Sequence, residues 1–292
     1  MMQKKRIHPA GPEFSRIVTG VWRWDNLSEQ ETQRMIETSL DLGITTIDHA
    51  DIYGDHTVEE KFGKILLRQP NLRSKMELVT KCGIKFPSSR RPANKSHIYD
   101  TTARHIIWSA ENSLKLLNTD YLDLLLIHRP DPLSDPSEIA EAFETLKKDG
   151  KVLHFGVSNF SGPQFRMLQK FVSAPLVTNQ IELSVKCTEP FFNGDVDVLM
   201  EYNASPMAWS PMAGGKLFDD ETEFNRIASE NNMTVSQLAL SWLLLHPSCI
   251  FPVVGTTKTE RLREMAAVMG KPAMDKDTWF AVLKASRGYD IP

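Results

Sequence analysis

The sequence predicts an α/β protein: a closed (β/α)8 TIM barrel with a short N-terminal hairpin and a C-terminal extra helix. Three observations predict it. Short apolar, β-branched runs alternate along the chain with longer amphipathic ones, which is the pattern of a parallel sheet. Eight such strand–helix units can be counted, at about 35 residues each. The 292 residues suit one closed barrel, and no Pro- or Gly-rich linker divides them, so a single domain is expected over 1–292.

The elements follow in order. "KRIHPAGPEFSRI" reads as a small hairpin able to plug the barrel bottom. Strands are expected at 16–22, 45–50, 76–82, 121–128, 152–159, 176–183, 205–210 and 250–256, each rich in Val, Ile, Leu or Thr and bounded by polar or turn residues. "SEQETQRMIETSLDLG" is a helix with Ser28 as N-cap, Glu31 closing a capping box, and Gly43 at its stop. "TVEEKFGKILL" repeats the device with Thr57 and Glu60. Further helices are expected at 101–118, 137–149, 161–172, 221–232, 234–246 and 258–269, with a short one near 195–202 and another after 274.

Composition narrows the function. A net charge of −3 gives no footprint for nucleic acid or anionic membrane. The N-terminus is basic but lacks the apolar core of a signal peptide, and no apolar run reaches the roughly 18 residues of a membrane span. Cys82, Cys187 and Cys249 are scattered and odd in number, so neither a zinc motif nor a disulfide framework emerges. Free thiols suit a reducing, cytoplasmic location. Oligomeric state leaves no trace in the sequence.

In a barrel, polar residues at the C-terminal strand ends gather in one mouth. In chain order these are Asp48 with Tyr53 just beyond, Lys81, His128, Ser158 and Asn159, Gln180, then Trp209 and Ser210. A lone Asp48 or Lys81 reads as an ion pair closing the mouth, and a lone His128 as a core histidine. On successive strands they read as a site. His49 points away from Asp48 by strand alternation and is expected to be structural. Asp51 and His56 match no metal-ligand spacing and are expected to be solvated loop residues.

The motifs "IDHADIYG", "LVTKCG", "YLDLLLIHRPDP", "GKVLHFGVSNF", "TNQIEL", "AWSPMAGGKL" and "VVGTTKTERLREM" together resemble the aldo-keto reductase superfamily, in the family's order and over nearly the whole chain. The wording resembles bacterial oxidoreductase members. The resemblance implies a catalytic tetrad of Asp48, Tyr53, Lys81 and His128. It implies reduction of an aldehyde or ketone, a small-molecule carbonyl substrate, by hydride from a nicotinamide. The residue types suit that chemistry. Tyr53 can donate a proton, Lys81 can favour the phenolate left behind, Asp48 can hold Lys81 in place, and His128 can orient the carbonyl. Trp22, Trp24 and Phe160 offer an apolar pocket.

The chain has no Gly-x-Gly-x-x-Gly after its first strand, and "GGK" is not a P-loop, so neither phosphate fingerprint is present. The resemblance implies a dinucleotide extended across the mouth instead. Ser158, Asn159 and Gln180 would hold its carboxamide, and Trp209 would stack on its nicotinamide. Ser210, Met212, Gly214 and Lys216 would line its pyrophosphate, with Gly20 and Val21 close by. Thr256, Lys258 and Arg261, at or near a helix N-terminus, would take a 2′-phosphate. Gly255 and Met265 stand where many members carry lysine and asparagine. NADP is the expected cofactor, ahead of NAD. Two other classes compete: a nicotinamide-binding sensor or regulatory subunit with little turnover, and a metallohydrolase using His49, His128 and aspartates.

Overall fold

The structure is a computed structural model that describes residues 2–218 and 222–290; residue 221, the first of one expected helix, lies outside them. An antiparallel hairpin, β1 (Lys4–Arg6) with β2 (Glu13–Ser15), precedes the barrel. Then come β3 (Val18–Gly20), α1 (Glu29–Asp41), β4 (Thr46–Asp48), α2 (Tyr53–His56), α3 (Val58–Arg68) and β5 (Glu77–Cys82). A second small hairpin, β6 (Ile84–Lys85) with β7 (Ile98–Tyr99), leads to α4 (Ala103–Leu117), β8 (Leu124–Ile127), α5 (Pro136–Lys148), β9 (Phe155–Ser158) and α6 (Gly162–Phe171). The chain continues through β10 (Leu176–Glu182), α7 (Asp195–Glu201), β11 (Met207–Trp209), α8 (Thr222–Glu230), α9 (Val235–Leu245), β12 (Phe251–Val254), α10 (Thr259–Ala266) and α11 (Lys276–Arg287).

Eight strands close into a barrel in the order β3-β4-β5-β8-β9-β10-β11-β12, every pair parallel. Every expected barrel strand falls on an observed one. The helix near 195–202 and the one after 274 are both present. The β6–β7 hairpin was not foreseen; at two residues per strand it is too short to leave a period-2 pattern.

Alternation along the strands sorts side chains between two cores. In β5, Val79 joins Val18, Leu124, Leu126 and Val177 inside the barrel, while Leu78 and Cys82 face the helices. The first hairpin plugs the floor as expected: Ile7 and Phe14 are fully buried within the interior cluster, and Phe14 meets Phe251 edge-on. The Ile7 carbonyl accepts from Ser205 N, and the Ser15 hydroxyl accepts from Thr46 N at 3.1 Å.

The Ser28–Glu31 capping box forms. The Thr57–Glu60 box does not. Thr57 has αR rather than extended backbone, and its hydroxyl donates to the Gly54 carbonyl at 2.6 Å. Gly54, Asp55 and His56 all have positive φ, so a tight reversal occupies the place where an extended N-cap would sit. Glu60 pairs with Lys64 and Arg90 instead.

Candidate active site

The β4 and β5 ends bring Asp48 and Lys81 together. Lys81 Nζ donates to Asp48 Oδ2 at 2.7 Å, to the His49 carbonyl at 2.7 Å and to the Tyr53 hydroxyl at 3.0 Å. All three of its protons are therefore placed. Asp48 is 2% and Lys81 1% exposed, a degree of burial a charge tolerates only when paired. Burial alone would lower the Lys81 pKa; Asp48 and then Tyr53 outweigh it and hold the ammonium above its ordinary value. Tyr53 reaches this pair from α2, across the five-residue step that the strand end allows. Burial pushes its phenol above the usual value, with Lys81 pulling the other way. Burial therefore wins over the ammonium.

His128, at the end of β8, stands beside Tyr53 with ring centroids 6.1 Å apart in an edge-on arrangement. Burial, then the charges of Lys81 and Arg129, lower its pKa well below the ordinary imidazole value, so it is neutral at pH 7. Its Nδ1 is enclosed with no hydrogen-bond partner.

The second Asp48 oxygen accepts from Gln180 Nε2 at 2.8 Å. The β9–β10 register shifts between Leu176 and Asn179, which marks an irregularity in the strand. Val177 lies inside the barrel, so strict alternation would bring Asn179 inward; with the shift, Gln180 meets Asp48, and Asn179 bonds the Phe160 backbone. The Ser158 hydroxyl donates to the Gln180 carbonyl at 2.8 Å, and Asn159 Nδ2 donates to Ser158 Oγ at 2.8 Å and to the His128 carbonyl at 3.2 Å. Trp209 Nε1 donates to Asn159 Oδ1 at 2.9 Å. The residues expected to hold a carboxamide thus form one chain of bonds running from the tetrad to the Trp209 rim.

Beyond Trp209 the backbone turns sharply. Ser210, Ala213, Gly214 and Gly215 all have positive φ. A Cβ on Gly214 or Gly215 would meet no protein atom within 4 Å, so the loop leaves open room beside its backbone. Met212 is half-buried and Lys216 exposed. Arg23 ties this loop to the β3 end by donating to the Gly214 carbonyl at 3.1 Å. Further round the rim, Thr256 Oγ1 accepts from Lys258 N, and no side chain caps the α10 N-terminus, with Lys258 and Arg261 exposed there. A helix start beside two cations suits phosphate, with the Glu260 carboxylate bonding one backbone N–H of the same turn. The strand-end donors, the open loop and this terminus together fit an extended dinucleotide.

Several expectations change. Val21 is fully buried, with its side chain in the outer core and its N–H on the Asp48 carbonyl at 3.1 Å. Gly20 has a packing reason of its own: a Cβ there would lie 2.9 Å from Val253. Trp24 lines no pocket; it is fully buried and donates to the Thr256 carbonyl at 2.9 Å, anchoring the β12–α10 loop. Phe160 packs in the outer core, which leaves Trp22, 59% exposed, as a rim residue. His49 is buried against Phe62 outside the barrel, with its pKa lowered to about 3 by burial and then by Lys81. It does not converge with His128, as a shared metal would require.

Asp51 and His56 are not solvated. Both are buried; Asp51 accepts from Ser109 Oγ at 2.6 Å, and His56 Nδ1 lies 2.7 Å from the Asp51 carbonyl. Glu59, which sequence reasoning passed over, lies nearby, accepting from Thr80 at 2.6 Å and Ser113 at 2.9 Å. The hydroxyls at 80, 109 and 113 were the available signal. Burial raises Asp51 to about 8 and Glu59 to about 7, and each hydroxyl contact opposes the rise.

The sequence model of the Aldo/keto reductase family matches residues 16–285. The chain is 47% identical to the uncharacterized oxidoreductase YcsN of Bacillus subtilis, over 96% of this chain and 97% of that protein. It is 46% identical to the oxidoreductase YdhF of Escherichia coli over the whole of both. It is 45% identical to a 6-dehydroglucose reductase of Agrobacterium fabrum, over 96% of each. Among solved structures, the holo form of an aldo-keto reductase from Bacillus halodurans superimposes with a TM-score of 0.85, covering 100% of this chain and 98% of that one at 21% identity; that likeness concerns the fold. With a matching family model across most of its length and relatives this close over theirs, the chain belongs to the aldo/keto reductase family of oxidoreductases.

Proposed function

We propose that this chain reduces an aldehyde or ketone to an alcohol with NADPH, or runs the reverse reaction, using Tyr53 as the proton donor. One observation carries the reading: a buried ammonium, Lys81, bonds both the Asp48 carboxylate at 2.7 Å and the Tyr53 phenol at 3.0 Å. Nicotinamide, when bound, supplies the hydride that reaches the carbonyl carbon.

The chain's own residues then manage the oxygen. As that oxygen gains the electron pair of the C=O π bond, Tyr53 gives it the phenolic proton. The phenolate left behind is stabilised by the Lys81 ammonium, which Asp48 holds in place while Gln180 donates to the other Asp48 oxygen. His128, kept neutral, retains an N–H with which to orient the carbonyl. Ser158, Asn159, Gln180 and Trp209 would hold the nicotinamide end, Ser210, Met212, Gly214 and Lys216 the pyrophosphate, and Thr256, Lys258 and Arg261 the 2′-phosphate. Arg261 favours NADPH over NADH because a guanidinium binds phosphate oxygens in pairs. Three free thiols suit action in a reducing cytoplasm.

The test is NADPH oxidation, followed by absorbance, across a panel of aldehydes and ketones with the parent chain and Tyr53→Phe. We expect turnover in the parent and a loss of about 10²- to 10⁴-fold in the variant. Near-parental rates in a folded Tyr53→Phe that still binds NADPH would remove Tyr53 as the acid.

A further inference from the structure

We propose that Arg129 selects carbonyl substrates that carry a carboxylate, by pairing with it beside the reacting centre. The inference rests on the carbonyl-reduction reading above and deepens it. Arg129 directly follows His128 at the end of β8, half-buried in the mouth. Its guanidinium lies 5.6 Å from the centre of the Trp209 ring. That ring is fixed by Asn159, which in turn bonds the His128 backbone, so the guanidinium belongs to a closed circuit of mouth residues. It lies over one face of the indole.

The backbone at Arg129 is stiff. Pro130 follows it, which restricts Arg129 to extended conformations, and Pro132 follows soon after. The side chain is thus held at the mouth from a rigid base.

What Arg129 lacks is an anion. Among the described residues no carboxylate lies within ion-pair distance of it. The acid nearest in sequence, Asp131, is turned elsewhere: it accepts from Leu133 N at 2.8 Å and from the Thr101 hydroxyl at 3.3 Å. The other cation of the inner mouth, Lys81, is already paired. A guanidinium is a strong and directional binder of carboxylate. As the residue after His128 and over the Trp209 ring, it stands at the same strand end as the residue expected to orient the reacting oxygen. A carboxylate attached close to the carbonyl, as in a 2-oxo acid or a carboxylated aldehyde, would meet it there.

The experiment compares matched probes, phenylglyoxylate and its methyl ester, in the parent and in Arg129→Gln. The readout is the ratio of kcat/KM for acid over ester, in which any general change in turnover cancels. The parent is expected to favour the acid, and Arg129→Gln to lower the ratio at least about tenfold, the size of a lost charged hydrogen bond. Arg129→Lys should restore part of it, since it keeps the charge and loses the fork. A ratio unchanged by Arg129→Gln would overturn the proposal. So would a selective loss of NADPH affinity in that variant, which would place the guanidinium on the cofactor. If no carbonyl is turned over, the reduction reading fails separately. Tryptophan fluorescence titration of the same two probes then still decides whether Arg129 confers tighter binding of the acid; equal binding in parent and variant overturns the assignment.

Discussion

Replacing Lys81 by methionine removes the positive charge beside the Tyr53 hydroxyl while keeping the phenol. Unit charges 3.0 Å apart interact by roughly 5 kcal/mol at an effective dielectric constant of about 20. Asp48 opposes part of this, and the phenolate is only partly developed in the transition state. Taking about half leaves about 2–3 kcal/mol, which is a kcat lowered roughly 30- to 150-fold. The phenol pKa should rise, so any basic limb of the reduction profile that reports loss of the Tyr53 proton should move to higher pH. The variant leaves Asp48 buried without its cation, a fault that destabilises by about 3–5 kcal/mol. Combining it with Asp48→Asn removes both charges, and should restore stability without restoring the rate. The assay is kcat against pH at saturating NADPH for the parent, the single variant and the double variant, with urea denaturation alongside. A double variant that is stable and also near parental in rate would refute the electrostatic role of Lys81, as would a limb displaced to lower pH.

Three further outcomes are expected. Asp51 and Glu59 hold protons in the folded chain up to about 8 and about 7, whereas the unfolded carboxyls release them near 4. The folded state then binds more protons across that window, so the contribution of these two groups to stability falls as pH rises from about 4 to about 8. Asp51→Asn should flatten the dependence and gain about 1–3 kcal/mol at pH 8, measured by urea denaturation at pH 5 and 8; identical curves for variant and parent would contradict this. Arg261→Ala should raise the NADPH dissociation constant roughly 10- to 150-fold while barely touching NADH, as fluorescence titration would show; equal affinities for both cofactors in the parent would rule it out. His128→Ala should lower kcat/KM for several carbonyls and leave NADPH affinity nearly unchanged, and full activity would return His128 to a packing role.

The barrel was legible because its strands announce themselves twice, by β-branched runs and by polar residues at their ends. Asp48, Tyr53, Lys81 and His128 could be named from motif order, and the structure brings them together. Less visible was anything that depended on which way a short segment turns. Thr57 satisfies the capping-box spacing, yet three successive positive-φ residues before it occupy the space an extended N-cap would need. Asp51 and His56 read as solvated because they are polar and lie in a loop. Asp51 is instead bonded by Ser109 on α4, 58 residues away, and His56 stacks on Phe86. Trp24 looked like a pocket wall because aromatic residues near a mouth often are. Its indole N–H instead found a carbonyl on the far side of the rim, 232 residues away. The inward turn of Gln180 depends on a register shift with no local sequence mark.

The plugged floor makes the barrel a vessel with one opening. Ile7 and Phe14 are fully buried in its base, and the wall above them is Val18, Val79, Leu124, Leu126 and Val177. None of these seven side chains carries a hydroxyl or carboxylate, so they offer a proton no relay. On the reading that Tyr53 is the acid, a proton it surrenders is replaced from the rim, the side by which substrate enters and product leaves. Recharging of the acid is therefore tied to traffic at the rim, and whatever lies across the rim also governs how soon the next cycle can begin.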